Sequence, residues 1–308
     1  VGDTNVGPGP RVSATAPRPL LTRSSIAELL ARYRHLPRKT LGQNFVADPN
    51  TIRRIVALAG VTGSSSVVEI GPGLGSLTLG LAETARRVVA IEADRSLLEP
   101  LAEVTEGTGV EIVGADALEV DWDATLDAAP DGWDLVANLP YSVATTLLLD
   151  VAQRAPMVER GRVMVQREVG ERWEAGPGSR TYGIPTVLLA RWGTASIVGE
   201  VPRAVFVPEP RVDSVLVRFT RHTSSPIPAD GVGDARLERV VRTSFAGRRK
   251  MLRRSLVGLI DAAAFEAAGV SPTDRPEQLG LAEFARLAAQ LPAGQSTGDA
   301  ASHRTDPS

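Results

Sequence analysis

Short apolar runs alternate with helix-like segments through the middle of the chain, and this alternation constrains the fold more than any other feature of the sequence. A repeated strand-then-helix order forms a mainly parallel sheet with helices on both of its faces. The strand candidates in this part are S-V-V-E-I (66–70), R-V-V-A-I-E (87–92), V-E-I-V (110–113), W-D-L-V-A-N (133–138) and R-V-M-V-Q (162–166). Two later candidates, 195–201 and 213–219, have no long helix between them and predict an antiparallel hairpin. The pattern predicts an α/β fold with a mainly parallel sheet built from these strand candidates.

Changes in composition on both sides of this region divide the 308 residues into predicted parts. Residues 1–22 and the tail 293–308 are rich in Pro, Gly, Ser and Thr or otherwise polar, and such segments are expected to be disordered. The α/β domain is expected over residues 23–221. After a linker at 222–233, helical periodicity over residues 234–292 predicts a small α-helical domain.

Composition also excludes several kinds of site and location. The chain has no cysteine, which excludes disulfides, thiolate zinc sites and a cysteine nucleophile. No apolar run approaches the ~20 residues of a membrane-spanning helix. The first ten residues lack the basic and apolar regions of a signal peptide. A cytoplasmic location is therefore the default expectation.

The charges are distributed unevenly along the chain, although the net charge is only -2. Residues 61–150 contain 16 acidic and 3 basic side chains, whereas residues 151–255 contain 10 acidic and 19 basic ones. Residues 17–40 contain 6 basic and 1 acidic side chain. An acidic block between two basic ones can conceal a polyanion-binding face behind a nearly neutral total. Solvated helix faces would give the same counts, so charge alone leaves both interpretations open.

A glycine-rich turn follows the first strand candidate in the order E-I-G-P-G-L-G-S (69–76). Gly71 and Gly73 allow the backbone to turn sharply and to approach a ligand at the start of the next helix. The spacing is G-x-G-x-G, because Ser76 stands where a dinucleotide-binding turn has its third glycine. Glu92 ends the second strand candidate, where a carboxylate can accept hydrogen bonds from both ribose hydroxyls. Together these features predict a nucleoside-type cofactor, with NAD still open at this point.

Two further strand candidates end on polar residues that fit the same kind of ligand. In G-A-D-A (114–117), the carboxylate of Asp116 can accept a hydrogen bond from an adenine amino group. N-L-P-Y (138–141) places an amide and a phenol at the carboxyl end of a strand, where open α/β sheets bind ligands. The order of these motifs along successive strands resembles that of class I S-adenosylmethionine-dependent methyltransferases. The resemblance implies their Rossmann-like, mainly parallel sheet of seven strands.

The resemblance narrows to one family when the rest of the chain is included. The matching segments are R-K-T-L-G-Q-N-F-V-A-D-P-N (38–50), V-M-V-Q-R-E-V-G-E-R (163–172), S-R-T-Y-G (179–183), E-V-P-R-A-V-F-V-P-E-P-R-V-D-S-V-L-V-R (200–218) and S-F-A-G-R-R-K-M-L-R-R-S-L (244–256). Over residues 35–292 they resemble the KsgA/RsmA ribosomal RNA adenine dimethyltransferases. The resemblance implies S-adenosylmethionine as the cofactor. It also implies dimethylation of two adjacent adenines near the 3′ end of 16S ribosomal RNA, in the small subunit or its assembly intermediate. The cofactor contacts it implies come from Asn44, the backbone near Val46, Gly71, Gly73, Glu92, Asp116, Ala117 and Asn138.

N-L-P-Y also resembles the catalytic motif of amino-directed adenine methyltransferases. An amine on an aromatic ring is a poor nucleophile because its lone pair is delocalised into the ring. The side-chain oxygen of Asn138 and the carbonyl of Pro140 would hold its two N–H groups and turn the lone pair toward the sulfonium methyl. Tyr141 would stack on the flipped base, and the resemblance implies Phe206 on the opposite side of that base. A sulfonium is already an activated donor, so no metal is expected.

A run of basic residues in the helical part predicts the RNA contact. No acidic residue occurs from Val240 to Leu259, and a solvated helix face usually mixes signs. Phosphate contacts of this kind position an RNA without reading its sequence. The basic residues, which recur at helical spacing, are Arg248, Arg249, Lys250, Arg253 and Arg254. Nothing in the sequence indicates an obligate dimer, so a monomer is expected.

Three alternatives stay open. An Erm-type methyltransferase would perform the same chemistry on large-subunit (23S) RNA, although the R-R-K-x-L-R-x-S-L segment (248–256) favours the small-subunit family. A non-catalytic ribosome-assembly factor could share the fold, but the intact N-L-P-Y motif argues against a loss of activity. An NAD-dependent oxidoreductase is disfavoured by the G-x-G-x-G spacing.

Overall fold

The structure is a computed structural model that describes residues 18–38, 42–140, 142–227 and 233–292. The expectations for residues 1–17, for Tyr141 and for the tail 293–308 lie outside the described residues. Within the described ranges, no helix is long and apolar enough to cross a membrane.

A seven-stranded sheet forms the centre of the protein, in the strand order β4-β3-β2-β5-β6-β9-β7. The strands of the described residues are β1 (Phe45–Val46), β2 (Ser66–Ile70), β3 (Arg87–Ile91), β4 (Glu111–Val113), β5 (Trp133–Asn138), β6 (Val158–Gln166), β7 (Gly193–Val201), β8 (Phe206–Val207) and β9 (Ser214–Arg221). Of these, β1 and β8 form a separate two-stranded antiparallel sheet. From β4 to β6 all neighbours are parallel, whereas β9 is antiparallel to both β6 and β7. The predicted mainly parallel sheet is confirmed. The predicted hairpin is the β7–β9 pair, with its second strand inserted beside β6.

Helices connect and cover these strands. They are α1 (Arg23–Arg32), α2 (Pro49–Ala59), α3 (Ser76–Ala82), α4 (Arg95–Thr105), α5 (Trp122–Thr125), α6 (Ala144–Arg154), α7 (Arg167–Glu174), α8 (Ile184–Ala190), α9 (Asp234–Ala246), α10 (Leu252–Ser255), α11 (Ala262–Ala268) and α12 (Leu281–Ala289). The helix α2 begins at Pro49, because Asp48 accepts a hydrogen bond from the Thr51 amide and proline suits the first turn of a helix.

The strand order reverses at β2, which lies between β3 and β5. From this point β3 and β4 extend the sheet in one direction, and β5 and β6 extend it in the other. Parallel sheets of this kind bind ligands in the crevice at the carboxyl ends of the strands where the order reverses. The glycine-rich turn that follows β2 therefore lies at the position where a ligand is expected.

Two apolar layers cover the two faces of the sheet. Trp133 and Leu135 of β5 belong to the layer that contains α6, whereas Val136 belongs to the layer that contains α2, α3 and α4. Because both faces are covered, the central strands are buried along their length and their sequences are continuous apolar runs. This packing holds the carboxyl ends of the strands in fixed relative positions.

The first described residues correct the expectation of disorder up to residue 22. Leu20 and Leu21 are buried, and the side chain of Thr22 caps α1. Leu21 before the cap and Ile26 in the first turn belong to the same apolar core, which is the arrangement of a hydrophobic staple. Burial of Leu20 and Leu21 attaches the start of the described chain to the core.

The helices α9 to α12 form a third apolar core together with residues of the α/β region. Tyr182 is buried in this core, and its hydroxyl donates a hydrogen bond to the Leu279 carbonyl at 2.7 Å. Val187 and Leu188 of α8 belong to the same core. The helical part is thus packed on the sheet region through residues 182–188, while the domain boundaries at 221 and 234 stay a prediction.

Candidate active site

A cavity opens at the carboxyl ends of β2, β3, β4 and β5, where the strand order reverses. The residues that line it come from five separate stretches of the chain. All eight predicted cofactor-contact residues are among them: Asn44, Val46, Gly71, Gly73, Glu92, Asp116, Ala117 and Asn138. Pro140 also lines the cavity. The structure therefore brings the predicted residues together at one place, while their individual contacts with a ligand stay predictions.

The glycine turn after β2 depends on two left-handed residues. Gly71 has a φ of +71° and Gly73 a φ of +61°, which a residue with a side chain adopts only at a cost. A Cβ on Gly73 would lie 2.8 Å from a ring carbon of Phe45 in β1, whereas a Cβ on Gly71 would meet nothing within 4 Å. Gly73 is thus required for both its conformation and the close approach of β1, and Gly71 for its conformation alone.

Glu92 fastens this turn to the end of β3. Its Oε2 accepts a hydrogen bond from the Gly73 amide at 2.9 Å, and its Oε1 accepts one from the Asp94 amide at 2.8 Å. Burial raises the pKa of Glu92, although these amide donors act in the opposite direction. Each carboxylate oxygen can accept more than one hydrogen bond, so the predicted contacts with ribose hydroxyls remain available. The sequence predicts the ribose contact but not the bond that positions the turn.

Glu69 is a site residue that the sequence did not assign. It lies in β2 with 1% of its surface exposed, lines the cavity, and its Oε2 has no hydrogen-bond partner among the described residues. Burial raises the pKa of Glu69 to about 8. An unpaired buried carboxyl oxygen beside a cavity favours a cationic ligand, because a nearby positive charge stabilises its ionised form. An acidic residue inside an otherwise apolar strand was the signal that identifies this position.

A Glu69→Gln variant is expected to show a weaker dependence of stability on pH. Between pH 4.5, the ordinary pKa of a glutamate, and about 8, the folded protein keeps a proton that the unfolded chain has lost. The free energy of unfolding of the wild type should therefore fall as pH rises through this window, by up to about 1.4 kcal/mol per pH unit from this group. Glutamine cannot titrate. Urea unfolding of both proteins at pH 5, 6.5 and 8 measures the difference, and parallel pH profiles would contradict a buried neutral Glu69.

Asn138 at the end of β5 is oriented by a residue 94 positions away. Its Nδ2 donates a hydrogen bond to the backbone carbonyl of Asn44 at 2.9 Å. Since the amide nitrogen is engaged there, its Oδ1 is the acceptor left for a substrate amine. The Pro140 carbonyl accepts the Val143 amide at 3.1 Å, and a carbonyl oxygen has a second lone pair for another donor. The partner predicted to stack on the base, Tyr141, lies outside the described residues.

Phe206 differs from its expected position. The ring is fully buried and is not among the residues that line the cavity. Phe206 in β8 pairs with Val46 in β1, and this antiparallel pairing carries the ring into the core beneath the cavity wall. The structure therefore does not bring Phe206 to the cavity, and stacking on a base stays a prediction that requires the ring to be uncovered.

The basic run departs from the single helix that its spacing suggests. Helix α9 ends at Ala246 before Gly247, and a turn separates it from the four-residue helix α10. Arg248 donates to the Arg180 carbonyl at 2.6 Å, so one member of the run is held against the loop before α8. No ion pair involves the run among the residues that the structure describes. The side chains that remain exposed are Arg248, Arg249, Lys250, Arg253 and Arg254.

Proteins of similar sequence match the chain along most of its length. A family model described as ribosomal RNA adenine dimethylase matches residues 34–291. A ribosomal RNA small subunit methyltransferase A from Kineococcus radiotolerans is 47% identical over 294 residues, covering 92% of this chain and 96% of the relative. A protein of the same name from Leifsonia xyli subsp. xyli is 47% identical over 286 residues, covering 88% of this chain and 98% of the relative.

Solved structures share the architecture. The crystal structure of the 23S rRNA methyltransferase ErmE aligns with a TM-score of 0.58 at 28% identity, covering 80% of this chain and 99% of that chain. A dimethyladenosine transferase from Plasmodium falciparum aligns with a TM-score of 0.65 at 21% identity, covering 79% of this chain and 95% of that chain. At this identity the second likeness concerns the fold alone. The predicted methyltransferase fold class is confirmed.

Proposed function

Because the chain belongs to the ribosomal RNA adenine dimethylase family, we propose that it transfers methyl groups from S-adenosylmethionine to two adjacent adenines in the 3′-terminal loop of 16S ribosomal RNA. The proposed substrate is the small ribosomal subunit or an assembly intermediate of it, and we propose a cytoplasmic location accordingly. The observation that carries this proposal is the convergence of the predicted cofactor residues and of Asn138 and Pro140 on one cavity.

The cavity suits a cofactor with a nucleoside end and a cationic end. Glu92 would accept hydrogen bonds from the ribose hydroxyls, and Asp116 would accept one from the adenine amino group. The unpaired carboxyl oxygen of Glu69 fits a positively charged group nearby. S-adenosylmethionine supplies an activated methyl group on a sulfonium. The protein's contribution is then to bind the cofactor, to orient it toward the target amine and to exclude water from the site.

Catalysis would rest on alignment of the target amine. The Oδ1 of Asn138 and the carbonyl of Pro140 would each accept one N–H of the adenine amino group. With both hydrogens held, the nitrogen lone pair points toward the sulfonium methyl and is less delocalised into the ring. Alignment and preorganised hydrogen-bond acceptors of this kind supply much of the rate enhancement in many enzymes. After methyl transfer the nitrogen loses one proton, for which water is a sufficient acceptor.

The exposed basic run would contact RNA phosphates outside the cavity. RNA affinity falls with salt concentration, and the slope of this fall in a double-logarithmic plot reflects the number of phosphate contacts. Replacing Arg249 and Arg254 by Ala should make the slope shallower by about 1.5, because two contacts no longer release counterions. Filter binding to small-subunit RNA between 50 and 200 mM salt measures this slope. A matched control is the double Ala variant of Arg53 and Arg54, two exposed residues of α2. Equal slopes for both variants would place the RNA contact elsewhere.

A transfer assay tests the proposed substrate directly. Labelled S-adenosylmethionine is incubated with unmethylated small subunits, large subunits and free RNA, and the modified base is mapped. Dimethyladenine in the 3′-terminal loop of the small subunit is the expected result. Label in the large subunit would assign an Erm-type activity instead. Tight cofactor binding without label in any substrate would favour the non-catalytic assembly factor.

A further inference from the structure

A network of polar side chains, two of them buried, lies beside the cavity wall, outside the residues that the predicted mechanism uses. His35 follows α1, Gln43 lines the cavity, and Asp94 caps α4. The Nε2 of His35 lies 3.0 Å from the Oε1 of Gln43, and the Nδ1 of His35 lies 3.1 Å from the Oγ of Ser96. Both His35 and Asp94 are buried. Four side chains from two distant segments thus share one set of hydrogen bonds.

The direction of these bonds follows from Asp94. Burial by itself would raise the pKa of Asp94, but hydrogen bonds from Ser96 and Gln43 and the charge of Arg38 hold it below its ordinary value. An ionised carboxylate only accepts, so Gln43 presents its Nε2 to Asp94 at 2.8 Å. The Oε1 of Gln43 then accepts from the backbone amide of Arg38 at 2.8 Å and from His35, whose Nε2 therefore carries a hydrogen. Each donor in this part of the network has an acceptor.

The network connects two parts of the predicted cofactor site, Glu92 after β3 and the segment before β1 that contains Asn44. The Asp94 amide donates to Oε1 of Glu92, whose other oxygen fixes the Gly73 amide. On the opposite side, Gln43 precedes Asn44, whose carbonyl accepts the hydrogen bond from Asn138. A displacement of Gln43 would therefore disturb both the residue predicted to hold the ribose and the orientation of the Asn138 amide.

We propose that His35 and Gln43 are positioning residues for the cofactor site, which hold the backbone at 42–44 against the cavity and join it to Glu92 through Asp94. This inference rests on the proposed function, because it takes S-adenosylmethionine to be the ligand of the cavity. His35 and Gln43 support the residues that contact the ligand. Substitutions of these two residues should weaken cofactor binding more than they slow the chemical step.

Substitutions at His35 separate a hydrogen-bond role from a packing role. His35→Leu fills similar space but loses the donor to Gln43, whereas His35→Gln can place an N–H near the position of Nε2. His35→Leu and Gln43→Met should each weaken S-adenosylmethionine binding about tenfold, which corresponds to the loss of one or two hydrogen bonds. His35→Gln should restore most of this loss. In the weakened variants the KM for the cofactor should rise by a larger factor than kcat falls.

Calorimetric titration with S-adenosylmethionine, steady-state kinetics on small subunits and thermal unfolding are measured on the full chain. His222→Leu is the control, because His222 is half-buried and lies near the Ala190 carbonyl, and neither residue lines the cavity. Wild-type affinity in His35→Leu and Gln43→Met would overturn the inference. Equal losses in His35→Leu and His35→Gln, accompanied by a lower Tm, would also overturn it in favour of packing. If the wild type itself did not bind S-adenosylmethionine, the proposed function would fail first.

Discussion

An Asn138→Ala variant is expected to lose methyl transfer by about 10²- to 10³-fold, the usual effect of removing one preorganised polar group from an active site. Its Oδ1 is the acceptor that would hold one N–H of the target amine, and alanine offers no replacement. The affinity for S-adenosylmethionine should change much less, because seven of the eight predicted cofactor residues remain in place. Single-turnover transfer to small subunits and calorimetric titration with the cofactor measure the two effects separately.

The hydrogen bond from Asn138 to the Asn44 carbonyl offers a competing explanation, in which Asn138 has a structural role. If the side chain served mainly to hold Asn44, its removal would reduce cofactor affinity as strongly as transfer. Asn50→Ala is a suitable control, because Asn50 is an exposed residue near the start of α2. The control should match the wild type in both measurements.

The second large effect is expected at Gly73. A Gly73→Ala variant combines a left-handed residue with a Cβ that would lie 2.8 Å from the Phe45 ring. The conformational cost of about 1–2 kcal/mol and an overpacking cost of about 1–3 kcal/mol should together destabilise the protein and displace β1 from the turn. Because the Gly73 amide also donates to Glu92, cofactor binding should fall by more than tenfold.

Gly71→Ala provides the comparison that isolates the close contact. Its φ is also positive, but its Cβ would meet nothing within 4 Å, so only the conformational cost applies. Urea unfolding and cofactor titration of both variants should show the larger loss in Gly73→Ala. A double variant that adds Phe45→Leu should recover part of the loss of Gly73→Ala. Equal effects at Gly71 and Gly73 would show that the approach of Phe45 is unimportant.

Much of the site was predictable because parallel strands end at one edge of a sheet. Gly71, Glu92, Asp116 and Asn138 each follow or end a strand whose apolar run is visible in the sequence, and all of them line the same cavity. The positions of these residues can be predicted without knowing any contact between distant parts of the chain. The resemblance to the ribosomal RNA adenine dimethyltransferases, based on the same motifs, is confirmed by the family match.

Features that depend on packing between distant segments differed from the prediction or were missed. The spacing of the basic run suggested one helix, but the chain turns after Gly247 and places Leu252 and Leu256 in the third core. The family resemblance implied Phe206 on the opposite side of the flipped base from Tyr141, whereas the pairing of β8 with β1 buries the ring. In both cases the local pattern was compatible with two conformations, and burial of apolar surface decided between them.

The sequence by itself determined the α/β class, the order of the motifs along the strands and the residue types at the cavity. These follow from periodicity and from the chemistry of turns, which act over a few residues. Only the tertiary structure decided that β9 lies between β6 and β7 and that Asn44 orients Asn138. It also decided that one carboxyl oxygen of Glu69 is buried with no hydrogen-bond partner in the described part of the chain. Each of these arises from a contact between residues far apart in the chain, whose geometry is set by the packing of the whole protein.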